Sequence, residues 1–148
     1  MNIQLGRSKN VRRAYGIDEI ALVPGGRTVD PENTNTRLLL GGKELEIPII
    51  ASAMDGVVDV RMAVELSKLG ALGVLNLEGV QTRYKNPQKV LKRISSVGKD
   101  KFVPLMQEIY KQPIQEKLIK ERISEIKRLG GIAAVSGTPL AAINFHKP

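Results

Sequence analysis

Few residues in this sequence are of types that carry out covalent or acid–base chemistry unaided. There is no cysteine, so disulfides, thiolate metal sites and a nucleophilic thiol are excluded within these residues. We expect the single histidine, His146, to face solvent. Ser136-Gly137-Thr138 leads into a predicted helix whose free amide groups could hold an anion, although an ordinary threonine cap explains the same residues. We therefore predict no catalytic residue and no metal site here.

Three short apolar runs are the elements that would position a site. They are continuous rather than alternating, which is typical of strands buried on both faces of a parallel sheet. They occupy residues 47–53, 71–75 and 132–135. Helical segments alternate with them, and this alternation indicates βαβ crossovers. The pattern fits either a barrel or an open doubly wound sheet, but no GxGxxG or Walker-type loop is present, which weakens a Rossmann dinucleotide site.

Start and stop signals delimit the first helix. Asp59 is a suitable N-cap, and Gly70 is a suitable stop. Between them Arg61, Glu65 and Lys68 fall at i, i+4 and i+7, which predicts one polar stripe on an otherwise apolar helix. The predicted helix covers residues 60–69.

The remaining helices are predicted in the same way, with one difficult stretch. Asn86-Pro87 and Thr138-Pro139 each place a cap residue before a proline at the first helical position. A long amphipathic helix is predicted over 114–129, ending at Gly130-Gly131. Residues 97–113 are interrupted by prolines, so only a short helical turn is predicted there, over 105–110. Residues 1–46 are rich in glycine and proline and predict an irregular segment with one or two short strands or turns.

Composition and charge bound the function. The formal net charge of +8 suits nucleic acid or a small phosphorylated ligand, but solvated lysines on helix faces explain most of it. No recognised nucleic-acid motif is present, so we expect no nucleic-acid partner. No apolar run is long enough to span a membrane, and the N-terminus lacks the apolar core of a secretory signal. We expect a cytoplasmic protein.

Several segments resemble one enzyme family, in the same order along the chain. The stretch IPIIASAMDGVV at residues 47–58 is similar to the first barrel strand and loop of the IMP dehydrogenase/GMP reductase family. The stretch from Met62-Ala63 to LGALGVL at 69–75 also matches. RRAYGIDEIALVPG at 12–25 and AAVSGTP at 133–139 resemble the bacterial IMP-dehydrogenase-related branch, which lacks the regulatory CBS insert.

The resemblance implies a partial (β/α)₈ TIM barrel. Such barrels take about 250 residues, whereas this sequence supplies about the first three βα units. We expect residues 1–46 to be an N-terminal segment leading into the barrel, and 47–148 to be a truncated part of the catalytic domain. The family's nucleophilic cysteine would lie beyond Pro148, so the chain itself is expected to be inactive.

The resemblance also implies where ligands bind. Ser52 and Met54 match nucleotide contacts, through a hydroxyl on ribose or phosphate and a thioether on the purine. Asp55, the third nucleotide-binding candidate, belongs to the same loop and is expected first to brace it by accepting backbone N–H groups. Gly56 stands where the family usually has threonine. Asn76 and Glu78 lie where the family binds its NAD or NADP cofactor, although the local sequence departs from the family's pattern.

Two classes of function remain open at this point. In the first, the complete enzyme oxidises IMP to XMP with NAD, or in the alternative direction reduces GMP to IMP with NADPH, as a homo-oligomer of the tetramer type. In the second, the chain is a non-catalytic binding or assembly module with weak, salt-sensitive affinity for nucleic acid. A partial barrel leaves sheet edges and apolar helix faces uncovered, so we expect the isolated chain to be marginally stable or prone to aggregation.

Overall fold

A short antiparallel ladder opens the chain in the computed structural model, which describes residues 2–5 and 9–145. Strands β1 (Asn2–Leu5) and β2 (Lys9–Arg12) pair here, and single 3₁₀ turns follow at Ile17–Glu19 and Pro31–Asn33. By internal contacts the chain forms two compact units, Met1–Asn35 and Thr36–Pro148. The described part of residues 1–46 contains short strands and single 3₁₀ turns. His146 lies outside the described residues.

The second unit begins with a β-hairpin. Strands β3 (Leu38–Leu40) and β4 (Lys43–Leu45) pair antiparallel across a two-residue turn. Leu45 is only 1% exposed and anchors the hairpin.

The three predicted strands lie side by side and parallel. They are β5 (Ile50–Ala51), β6 (Leu72–Asn76) and β7 (Ala134–Ser136), with β6 in the centre. The first strand is shorter than its apolar run predicts, because Pro48 has no N–H to donate and the ladder forms only beyond it. Within the described residues this sheet is open at β5 and β7 rather than closed into a barrel.

Six α-helices complete this unit as described, and two of them have the N-caps that the sequence predicts. Asp59 caps the first helix by accepting from the Met62 amide at 2.8 Å, and Asn86 caps the third by accepting from the Lys89 amide at 3.2 Å. The helices are α1 (Val60–Lys68), α2 (Val80–Arg83), α3 (Pro87–Ser96), α4 (Lys99–Lys111), α5 (Glu116–Arg128) and α6 (Pro139–Phe145).

Helix α5 ends with the hydrogen-bond pattern that its glycines predict. Gly130 has a φ of +82°, which is left-handed and favours glycine. The Gly131 amide donates to the Ile126 carbonyl at 2.9 Å. This Schellman arrangement turns the chain sharply from α5 toward β7. The α1 helix ends in the same way at Gly70.

The prediction for residues 97–113 is wrong. Instead of a short turn, α4 runs for 13 residues straight through Pro104. The proline forgoes one backbone hydrogen bond, but Leu105 and Ile109 are buried against Val80 on α2. Tertiary burial thus outweighs local propensity. The short helix α2, which the sequence analysis missed, is buried at Val80, Gln81 and Thr82.

Two apolar clusters hold this unit together. In the first, Val58, Ala63 and Val64 pack with Ile126, so that α1 and α5 share one core beside the sheet. In the second, the α3–α4 hairpin (Pro87–Lys111) packs on α2 around Val80, Leu105 and Ile109. None of the helices in the described ranges combines the length and apolar character needed to cross a bilayer.

Candidate functional site

The carboxyl ends of the three parallel strands meet at one edge of the sheet, where their loops are joined by hydrogen bonds. The centre is Asp55, in the loop after β5. Its Oδ1 accepts from Asn76 Nδ2 at 3.1 Å. Its Oδ2 accepts from the Val80 backbone amide at 3.1 Å and from the Tyr110 hydroxyl at 2.6 Å. One half-buried carboxylate therefore ties together β6, α2 and α4.

The same hydrogen bonding continues to the loop after β7. Asn76 Oδ1 accepts from the Glu78 amide at 2.9 Å. The Glu78 carboxylate then accepts from the Thr138 backbone amide at 2.7 Å and from the Thr138 hydroxyl at 3.1 Å. Three loops that are distant in sequence thus form one connected network. We call Asp55, Asn76, Glu78 and Thr138 the loop network.

The predicted anion position at the start of α6 is occupied by the chain itself. Thr138 accepts from the Ala141 amide through its hydroxyl at 3.3 Å, as an ordinary N-cap does. The negative group at this helix start is the Glu78 carboxylate, which is favourable beside the unpaired amides. The cap interpretation therefore accounts for Ser136-Gly137-Thr138.

Two residues that the sequence analysis missed, Tyr110 and Arg83, brace the loop network. The Arg83 guanidinium lies 5.3 Å from the Tyr110 ring centroid. Arg83 also donates to the backbone carbonyls of Glu78 and Tyr110, at 2.9 and 3.2 Å, and to that of Gln112. Burial, followed by the hydrogen bond to Asp55, raises the pKa of Tyr110 to about 12. No local motif marks Tyr110, because its partner Asp55 is 55 residues away in sequence.

Close approach of the loops explains the glycine that follows Glu78. A Cβ atom placed on Gly79 would lie 1.6 Å from Asp55 Oδ1 and 2.2 Å from its Cγ. No side chain fits at that distance. By contrast, a Cβ on Gly56 meets nothing within 4 Å, so the fold has room for a side chain at that position.

Ser52 and Met54 lie on the outer side of the same loop. Ser52 is exposed, and Met54 is 53% exposed rather than packed in the core. The Met54 amide donates to the Ser52 carbonyl at 2.8 Å, and the amides of Val57 and Val58 both donate to the Met54 carbonyl at 3.0 Å. The backbone of this loop is therefore well defined while these two side chains remain accessible.

Asp55 acts differently from its expected local role. Its carboxylate accepts a backbone amide, as expected, but that amide belongs to Val80, 25 residues further along the chain. Asn76 and Glu78 likewise use their side-chain oxygens inside the loop network. For a nicotinamide cofactor this is a poor fit, since the polar atoms expected to bind it already pair within the fold.

Comparisons with known proteins agree on one family. A sequence model described as "IMP dehydrogenase / GMP reductase domain" matches residues 14–138. The chain is 30% identical to an uncharacterised oxidoreductase of Mycobacterium tuberculosis, over 93% of this chain and 38% of that protein. It is also 35% identical to inosine-5'-monophosphate dehydrogenase of Methanocaldococcus jannaschii, over 62% of this chain and 20% of that enzyme.

A solved structure confirms the fold. A crystal structure of an IMP dehydrogenase/GMP reductase-like protein from Corynebacterium glutamicum superposes with a TM-score of 0.77 at 23% identity, over 98% of this chain and 40% of that one. The architecture is thus that of part of an α/β barrel. The chain belongs to the IMP dehydrogenase/GMP reductase family, whose members are NAD(P)-dependent oxidoreductases. It spans about two fifths of the length of the mycobacterial relatives it matches.

Proposed function

We propose that this chain forms the nucleotide-binding part of an IMP dehydrogenase-related oxidoreductase that converts IMP to XMP with NAD. One observation carries the proposal: Asp55 is anchored by three hydrogen bonds while its loop neighbour Met54 stays 53% exposed. A loop braced in this way presents its side chains to a ligand with little conformational entropy left to lose. The loop lies at the carboxyl ends of the strands, where barrels of this kind build their sites.

The side chains of the loop suit a purine nucleotide. The Met54 thioether is polarisable and packs well on an aromatic ring, so we assign it to the purine. The Ser52 hydroxyl can donate to ribose or phosphate. Asp55 holds the loop rather than the ligand, because its carboxylate oxygens are already paired. The net charge of +8 favours a phosphorylated ligand over a neutral one.

Hydride transfer needs groups that these residues do not supply. Attack on the purine C2 position requires an activated nucleophile, and the sequence has no cysteine. We infer that the chain is inactive by itself. In the complete enzyme, further barrel strands supply the thiol and most cofactor contacts, and the enzyme is a homo-oligomer.

Nucleotide binding by the chain tests the proposal directly. IMP is titrated into the unchanged protein and followed by calorimetry or by amide chemical shifts. Burying a methionine side chain is worth about 1.5–3 kcal/mol, so Met54→Ala should weaken IMP binding roughly tenfold or more. Met62→Ala is a matched control, because Met62 is 38% exposed but lies on α1. Unchanged IMP affinity in Met54→Ala would refute the assignment.

Parallel titrations separate the other candidates. GMP binding tighter than IMP would favour the reductase direction, from GMP to IMP with NADPH. A salt-sensitive shift of a nucleic-acid probe without any response to IMP would instead favour a non-catalytic module.

A further inference from the structure

The α3–α4 hairpin is an addition to the ordinary connection between two parallel strands. Four helices lie between β6 and β7, but α5 alone among them contributes to the core shared with α1, through Ile126. The hairpin has its own apolar core on α2. It is therefore not needed to cover the sheet, and the contact that it makes with the loop network calls for another explanation.

That contact is Tyr110, which is held in place by the burial of its neighbour in α4 and by an arginine on α2. The preceding residue, Ile109, is 1% exposed and anchors the end of α4. The Arg83 guanidinium, on α2 just before the hairpin, lies 5.3 Å from the Tyr110 ring centroid and donates to the Tyr110 carbonyl at 3.2 Å. These contacts fix the position of the Tyr110 hydroxyl independently of its hydrogen bond to Asp55.

We propose that Tyr110 is a positioning residue for nucleotide binding, which holds the Asp55 carboxylate and thereby sets the orientation of Met54 in the adjoining loop. This inference rests on the proposed function. Of the three groups that donate to Asp55, only Tyr110 comes from the hairpin; Asn76 and Val80 belong to the β6 strand and to α2, which directly follows it. Without the phenol, Asp55 Oδ2 keeps one donor, and the carboxylate rotates more freely about the Cβ–Cγ bond.

The chemistry of the contact supports a fixed link rather than an adjustable one. An O–H···O⁻ bond of 2.6 Å is in the short range typical of charge-assisted bonds. With a raised pKa the phenol stays neutral and keeps its donor hydrogen throughout the physiological range. Tyr110 therefore acts on the nucleotide through Asp55, by geometry rather than by proton transfer.

Tyr110 in the hairpin and Tyr84 at the end of α2 make a matched experiment. Tyr110→Phe removes the 2.6 Å bond to the Asp55 carboxylate and keeps the ring, whereas Tyr84→Phe removes a 2.9 Å bond to the Ile109 backbone carbonyl. We expect Tyr110→Phe to weaken IMP binding roughly tenfold, as the loss of a bond to a charged group would. It should also speed hydrogen exchange at the Val57, Val58 and Val80 amides. Tyr84→Phe should leave IMP affinity and these exchange rates within about twofold, because its hydroxyl bonds the Ile109 carbonyl and has no bond to Asp55.

A double-mutant cycle shows whether Tyr110 acts through Asp55. In an Asp55→Ala background, Tyr110→Phe should have no further effect on IMP affinity or on exchange at the Val57 and Val58 amides. Equal IMP affinity in Tyr110→Phe and Tyr84→Phe would overturn the positioning role while leaving the proposed function intact. Failure of the unchanged protein to bind IMP would overturn both.

Discussion

Replacing Gly79 by alanine tests whether the close approach of two loops stabilises this fold. Gly79 has φ −95° and ψ −165°, which alanine adopts without strain. The cost is therefore steric. The added Cβ would lie within 2.4 Å of all three atoms of the Asp55 carboxylate group, and no rotation of the backbone at Gly79 is required for that clash. The carboxylate must move away.

The size of the effect follows from the hydrogen bonds that Asp55 then loses. Each bond to a charged group is worth about 1.5–3 kcal/mol, and the displaced carboxylate cannot keep all three of its donors. Because Asp55 is only half-buried, water replaces part of this loss. Gly→Ala also stabilises by about 0.4–1 kcal/mol through the unfolded chain. The expected net destabilisation by Gly79→Ala is about 2–4 kcal/mol.

The change in the free energy of unfolding is measured by urea unfolding. Far-ultraviolet circular dichroism is the signal, because the protein has no tryptophan to report by fluorescence. Gly56→Ala is the matched control, because its Cβ meets nothing within 4 Å. It should change the free energy of unfolding by no more than about 0.5–1 kcal/mol, in the stabilising direction. In an Asp55→Ala background, Gly79→Ala should lose most of its cost. If Gly79→Ala matched Gly56→Ala, the reasoning about this contact would be wrong.

Three further predictions concern the core, the phenol and the sheet edges. Ile126→Ala should destabilise the protein by about 2–5 kcal/mol in the same urea assay, because Ile126 is fully buried, while Leu129→Ala, 45% exposed, should cost much less. Since the folded pKa of Tyr110 is about 12 against an ordinary value of 10.0, folding favours the neutral phenol; its contribution to stability is complete below the ordinary pKa and is lost as pH rises through the folded pKa. Absorbance at the tyrosinate band should therefore show a late step that disappears in Tyr110→Phe and moves to lower pH in Asp55→Asn. The open edges of the parallel sheet should make the isolated chain associate increasingly with concentration in sedimentation velocity, and a monomer with a sharp cooperative melt at all concentrations would contradict this.

Local signals predicted the helix boundaries well where one residue decides the backbone. Asp59 and Asn86 cap the helices that they precede, and Gly130 ends α5 with a left-handed φ. These helix ends depend on hydrogen bonds between residues three to five positions apart, so they can be predicted from the local sequence. The prediction for α4 was wrong for the opposite reason. Its stability comes from burying Leu105 and Ile109 against another helix, which the proline at position 104 conceals.

The candidate site divides in the same way. Resemblance to relatives pointed to the Ser52–Asp55 stretch and to Asn76 and Glu78, and all of these lie at the carboxyl edge of the sheet. What these residues do there was not predictable, because their partners are remote. Asp55 and Asn76 are 21 residues apart, and Glu78 and Thr138 are 60 apart. The two cofactor candidates, Asn76 and Glu78, are consequently hydrogen-bonded to other loops.

The sequence by itself determined the alternation of apolar runs and capped helices, and with it a parallel sheet of the family's kind, because buried strands and helix ends each depend on a few neighbouring residues. Only the tertiary structure decided that Asp55 joins β6, α2 and α4, that Glu78 rather than a ligand neutralises the start of α6, and that Tyr110 reaches the loop at all. Those contacts arise where the carboxyl ends of the parallel strands lie close together. A half-buried polar group there is stable only if it is hydrogen-bonded, and its partner is whichever group the fold places within about 3 Å.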